Sequence, residues 1–197
     1  MSKPSFSLFF SLISILLISG SCSKDCRDGF FTINEVKIEP RRWFPETNIG
    51  ATEPWNNALE LPIIVLTMEM QLSKFFRTLP EIGGGCFGKY LNENPVRDIR
   101  IFSNLSFNGV SSGSDLSPII LFSPRANTRV GDFINKQELL DFYVNESNFT
   151  KLYFYFNQNP ELQGVHRIRI EFVFADGTVI ESNAVDVLLV PARPAQN

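Results

Sequence analysis

The chain has one histidine, His166, and imidazole is the side chain that changes charge near neutral pH. A Ser-His-Asp triad, or a zinc site built on histidine, would have to pass through it. It stands at the start of an alternating run beside Arg167, without a neighbour that completes either arrangement, and reads as an ordinary strand-end residue. Residues 83–88, GGGCFG, formally fit GxGxxG. A dinucleotide site needs a strand before that motif and a helix after it, so that phosphates meet the helix N-terminus. Here Leu79-Pro80 precedes and YLNENP follows, so the stretch reads as a flexible loop carrying Cys86. Glycoside hydrolysis needs two carboxylates ~5 Å or ~6.5–9.5 Å apart across a cleft. Glu138 and Asp141 share a helix face at i, i+3, the spacing of a solvated face, and Asp25 and Asp28 lie close to the N-terminal greasy segment. Asp115, Asp132 and Asp176 fall in turn-like stretches without the alternating oxygen spacing of a calcium loop. The expectation is no catalytic residue, no metal, no cofactor and no enzyme.

The strongest binding lead is residues 41–57, RRWFPETNIGATEPWNN. It holds both tryptophans, Trp43 and Trp55, together with Arg42 and Asn57. Aromatic faces beside guanidinium and amide donors suit a saccharide, which is held by stacking and a few placed hydrogen bonds. Long connections without regular structure are often functional. The competing reading makes the tryptophans plugs for one end of the fold, with Pro40, Pro45 and Pro54 stiffening the segment in either case.

Strands must position these residues, because the chain carries 19 phenylalanines and little helical periodicity. RIRIEFVF at 167–174 sets Ile168, Ile170, Phe172 and Phe174 on one face, and Asp176-Gly177 marks a hairpin. The return strand, 178–190, is interrupted at Asn183-Ala184, where a bulge or a change of partner is expected. Further strands are expected at 30–38, 61–72, 98–108 and 151–157, with one short helix at 136–144 capped by Asn135. The segment 111–114 (SSGS) reads as a flexible loop. Together these predict an all-β, antiparallel β-sandwich, Ig-like in the loose sense, with at most one short helix.

The N-terminus supplies the address. Lys3 and the apolar run 6–18, followed by Ser19-Gly20-Ser21, read as a secretory signal too short to span a bilayer comfortably. Ser19-Gly20-Ser21-Cys22 resembles the lipobox of bacterial lipoproteins, with Ser19 where that family usually has leucine. The resemblance implies that Cys22 becomes the first mature residue and carries the acyl chains. Cys22-Ser23-Lys24-Asp25 is similar to the short charged tag of some Bacteroidota-type lipoproteins, and the whole layout resembles small lipoproteins of uncharacterised families of that type with an Ig-like domain. With Cys22 acylated, two of the three cysteines, Cys26 and Cys86, are left to pair as a disulfide in an oxidising compartment. The expected division is signal 1–21, tether 22–29, one domain 30–190 and a tail 191–197.

Removing 21 of 197 residues leaves 176, enough for one domain, with 17 basic against 21 acidic side chains. A mildly acidic chain without basic blocks is a poor nucleic-acid partner. The sequence therefore predicts a protein held on the bacterial outer membrane by its lipid, at the cell surface or on the periplasmic face. Its expected role is a non-enzymatic binding or structural module serving an envelope protein complex. The alternative is a surface glycan-binding lipoprotein using Trp43 and Trp55.

Overall fold

Apolar side chains alternate with polar ones along nearly every segment of the computed structural model, which describes residues 26–42, 53–54, 66–83, 86–126, 132–156 and 158–191. Among these residues the strands are β1 (Gly29–Arg42), β2 (Glu53–Pro54), β3 (Leu66–Thr78), β4 (Ile82–Gly83), β5 (Cys86–Phe87), β6 (Tyr90–Asn92) and β7 (Val96–Ser103), then β8 (Ile120–Ser123), β9 (Lys151–Phe156), β10 (Gly164–Phe174), β11 (Val179–Glu181) and β12 (Val185–Leu189). One sheet runs β2-β1-β3-β9-β8, with β6 added to β1. The other centres on β10, flanked by β7 on one side and by β11 and β12 on the other. The two sheets face each other as the expected all-β sandwich.

Between them lies a core of Phe31, Met68, Met70, Ile99, Ile101, Phe154 and Phe172, all fully buried. Alternation explains which side each sheet turns inward. On β3, Met68, Met70 and Leu72 face the core, and on β9 Leu152, Phe154 and Phe156 do. The first strand needs a correction of parity, because Phe31 and Ile33 face inward and so do Val36 and Ile38. A β-bulge supplies it: Ile33 pairs with Lys74 and Glu35 with Ser73, leaving Asn34 as the extra residue.

The return strand breaks as its sequence predicts. The turn at Asp176-Gly177 joins β10 to β11, with Gly177 at φ 87°, and pairing then lapses at residues 182–184. Ser182 keeps contact with β10, where its backbone N–H donates to the Ile170 carbonyl and its Oγ accepts from the Ile170 N–H. Asn183 changes partner. Its amide oxygen accepts from the Ile38 N–H at 2.8 Å and its Nδ2 donates to the Ile38 carbonyl at 3.0 Å. One side chain thus replaces a strand on the open edge of β1 and ties the two sheets together.

The predicted helix is present as α1, an α-helical turn (Lys136–Glu138) that continues as a π-helical turn (Leu139–Val144). Asn135 accepts from the Glu138 N–H and Glu138 accepts from the Asn135 N–H, a complete capping box. Leu139, Leu140 and Val144 pack into the core.

Several expectations are corrected. The strand expected at 98–108 stops at Ser103, because the chain turns at Asn108 (φ 47°) and Gly109. Leu105 is consequently exposed, while Phe107 reaches the core from a turn closed by Val110. The strand expected at 61–72 continues to Thr78; positions 61–65 lie outside the described residues. The sheet is not wholly antiparallel, since β6 runs parallel to β1. The flexible loop expected at 83–88 is in part paired strand, with Ile82 opposite Phe87 and Gly83 opposite Cys86, while positions 84 and 85 lie outside the described residues. The SSGS segment is tied back to the end of β7, where the Gly113 N–H donates to the Ser103 carbonyl and Ser112 Oγ donates to the Asn104 carbonyl.

Candidate functional site

The side chains that turn away from the core on β3 and β9 do not all meet water. Glu69, midway along β3 between Met68 and Met70, is only 2% exposed. Its Oε1 receives Lys151 Nζ at 2.9 Å and Gln71 Nε2 at 2.9 Å, and its Oε2 lies 3.3 Å from Arg41 Nε. Three adjacent strands meet in this cluster, with Arg41 from β1 and Lys151 from β9. Burial pushes the Glu69 carboxyl up, but the hydrogen bonds from Lys151 and Gln71 and the charges of Arg41 and Lys151 outweigh it. The group stays below the ordinary carboxylate range.

Next to it, Tyr153 turns its hydroxyl to within 3.5 Å of Glu69 Oε2, and burial together with that negative charge raises its pKa to about 12. Tyr155, two positions on, lies 3.3 Å and 3.2 Å from the Arg125 and Ala126 carbonyls and packs edge-on against Phe133 at 4.8 Å. Burial raises its pKa as well. Tyr153 and Tyr155 form a small aromatic cluster with Leu121, Ala126 and Phe133, separate from the main core.

A cleft of ≈ 450 Å³ opens beside this cluster, lined among others by Arg125, Asn148, Phe149, Lys151 and Tyr153. It combines cationic and amide donors, a phenol and an aromatic face. Such a lining suits a small polar or polyhydroxylated ligand held by hydrogen bonds and ring contact. Chemistry on a substrate is another matter. Glu69, the one buried carboxylate among the described residues, is already engaged by two cations and an amide, and its lowered pKa is the reverse of what a general acid requires at neutral pH.

The residues singled out in the sequence are placed as follows. Arg42 ends β1, its backbone paired with Glu53 on one side and Leu66 on the other. Its neighbour Arg41 is the residue that joins the Glu69 cluster. Trp43, Trp55, Asn57 and Cys22 lie outside the described residues. The pairing of Arg42 with Glu53 nevertheless brings the two ends of the 43–52 segment side by side, at the β1 end of this face.

His166 is 1% exposed, with Nδ1 2.8 Å from Ser103 Oγ and its ring edge-on to Phe107. Burial lowers its pKa. It bridges β7 and β10 inside the sandwich, away from the cleft. Glu138 is spent on the helix cap, and Asp141 accepts from Gln137 Nε2. Asp115 Oδ1 accepts from the Ile101 and Ser117 N–H groups, which secures the outer edge of β7. Among the described residues no three His, Cys, Asp or Glu side chains converge as metal ligands.

Sequence reasoning missed Glu69, Lys151 and Tyr153. The signal was present: Thr67, Glu69 and Gln71 alternate with inward residues on β3, as Lys151, Tyr153 and Tyr155 do on β9. What no alternation pattern reveals is that β3 and β9 pair Glu69 directly with Tyr153. Comparison with protein families, with curated proteins and with solved structures finds no match to this chain.

Proposed function

We propose that this protein is a lipid-anchored cell-envelope protein, acylated on Cys22 and serving as a non-enzymatic binding or structural interaction module on the outer membrane. The observation that carries the reading is how the fold treats the start of the mature chain. The Glu81 N–H donates to the Arg27 carbonyl at 2.8 Å, and the Gly29 N–H donates to the Lys89 carbonyl at 2.8 Å. Asp28 Oδ1 accepts from the Lys89 N–H at 2.7 Å. Residues 27–29 are therefore sewn to the segment containing Cys86, beginning five positions after Cys22. A Cys26–Cys86 disulfide suits this arrangement, since the backbone around Arg27 is bonded to the segment that holds Cys86. On a chain-entropy estimate a bridge closing so long a loop contributes ~4 kcal/mol. A tether joined this firmly to the body holds the domain close to its anchor.

The test is metabolic labelling with a palmitate analogue, followed by membrane fractionation. Wild type is expected to carry the label and sediment with membranes, whereas Cys22→Ser loses both. A variant that stays labelled and membrane-bound overturns the reading.

The cleft beside Lys151 and Tyr153 favours the second reading, glycan binding, because it lies on the face where the tryptophan-bearing segment begins and returns. The double variant Trp43→Ala/Trp55→Ala is expected to lose saccharide binding on a glycan array without a large fall in Tm. If both tryptophans are structural plugs, Tm falls instead, since Trp→Ala in a core costs ~3–5 kcal/mol.

A further inference from the structure

The β4–β5 hairpin exposes large apolar side chains at the end of the molecule where the chain begins. Ile82 and Phe87 are directly paired across it and so share one face. They are 65% and 79% exposed, and Leu79, three residues before Ile82, is 68% exposed. Phe75, Phe142, Leu162, Val165 and Val179 are exposed too, on other elements, and scattered apolar exposure is ordinary for a soluble surface. A paired isoleucine and phenylalanine held out on a two-stranded projection is not ordinary, and it calls for a partner.

The position of the hairpin identifies that partner. Its base is bonded to Arg27 through the Glu81 N–H, and the Gly88 N–H donates in turn to the Glu81 carbonyl. The Gly88 backbone packs so closely on Arg27 that a Cβ there would sit 2.2 Å from the Arg27 carbonyl oxygen. The hairpin is thus fixed to the residue after Cys26. Only four residue steps separate Cys26 from Cys22, and at ~3.3–3.6 Å per residue they span at most about 14 Å. An acyl chain on Cys22 therefore keeps this end of the domain against the bilayer whatever path those residues take.

We infer that the β4–β5 hairpin is a membrane-docking element, with Ile82 and Phe87 inserted into the interfacial region of the phospholipid bilayer that holds the acyl anchor. This rests on the lipid-anchor reading above. The lipid keeps the protein at the membrane, and the hairpin sets its orientation. Two attachment points define a posture where a single flexible point leaves the domain to tumble. The face carrying Glu69 and the cleft is then presented in one direction to whatever it binds.

The test uses the full-length protein in its own membranes. A photoreactive residue is introduced as Phe87→p-benzoylphenylalanine, with Leu162→p-benzoylphenylalanine as the control. Leu162 lies just before β10, whose opposite end pairs with Val96 close to the hairpin side of the fold. Phe87 is exposed, so the analogue requires no repacking. After irradiation, the peptide carrying position 87 is expected to gain the mass of a phospholipid, and the peptide carrying position 162 to show none. A crosslink from position 87 to another protein, or to a second copy of this chain, overturns membrane docking in favour of that partner; the absence of any adduct overturns it as well. Acylation of Cys22 is read from the same digest. An acylated chain without a lipid adduct at 87 therefore defeats the docking alone, and an unacylated chain defeats the anchor reading itself.

Discussion

Glu69 shows how one charged residue sits inside a strand without unfolding it. Its neighbours on β3 are methionines buried in the core, and the carboxylate is tolerated only because Lys151, Gln71 and Arg41 surround it. Glu69→Ala takes one of two carboxylates from the largely buried Arg41 guanidinium, which keeps Glu39 at 2.8 Å, and leaves Lys151 without its partner. The expected cost is about 3 kcal/mol, at the low end for a broken buried pair because Arg41 keeps Glu39 and Lys151 is itself half exposed. For a domain of this size that lowers Tm by ~6–12 °C in a thermal melt. Lys74 makes the opposite kind of prediction. It faces the core side of β3, with Nζ 4.2 Å from the centre of the Phe31 ring and 2.7 Å from the Ser147 carbonyl. Burial depresses its pKa from 10.5 to about 7. Between those values the unfolded chain holds a proton that the folded chain has released. Stability should therefore rise as pH climbs from about 7 toward 10, by up to ~1.4 kcal/mol per unit. Urea melts across this range are expected to show the rise in wild type and its loss in Lys74→Met. Neither residue stood out in the sequence, because a lysine or glutamate in an alternating strand looks like an ordinary solvent-facing position. Pairing with distant strands is what buries them.

At the scale of elements, the alternating runs declared β9, β10 and the helix with its Asn135 cap, and the Asp-Gly pair declared the turn after β10. These are local signals, carried by residues within a few positions of one another. The elements that escaped are those whose cause is not local. The β8 strand has only ILFS to mark it and is defined by its pairing with β9. The parity change in β1 depends on Asn34 bulging against Ser73 and Lys74. The break at Asn183 was legible, but its purpose was not: the amide serves Ile38, 145 residues away. Asn183→Ala should expose that role. Removing both hydrogen bonds from a part-buried backbone pair is expected to cost about 2 kcal/mol. Hydrogen exchange at the Ile38 amide should accelerate locally, which distinguishes loss of this joint from general destabilisation. An unchanged exchange rate would mean that the sheets do not depend on Asn183 for their attachment.

For the whole molecule, the proposed docking end and the candidate binding face lie at different places on the sandwich. The N-terminal end carries Arg27, Asp28, the β4–β5 hairpin and the backbone around Cys86. The outer face of the first sheet carries the Glu69 cluster, the cleft and the attachment points of the 43–52 segment. Of the residues the sequence nominated for binding, only the Arg42 backbone falls within the described structure, next to Arg41, which belongs to the cluster. The cleft itself is lined by residues from β9 and the segments flanking it, none of which the sequence nominated. On the proposed reading, one end is anchored and the other face is left available to a ligand or partner. The proposed anchor is read from the intact mass of the protein extracted from membranes without reduction. The expected species is a chain beginning at Cys22, heavier by its acyl chains and lighter by the two hydrogens of a Cys26–Cys86 disulfide. A chain beginning elsewhere, or an unmodified Cys22, would contradict it.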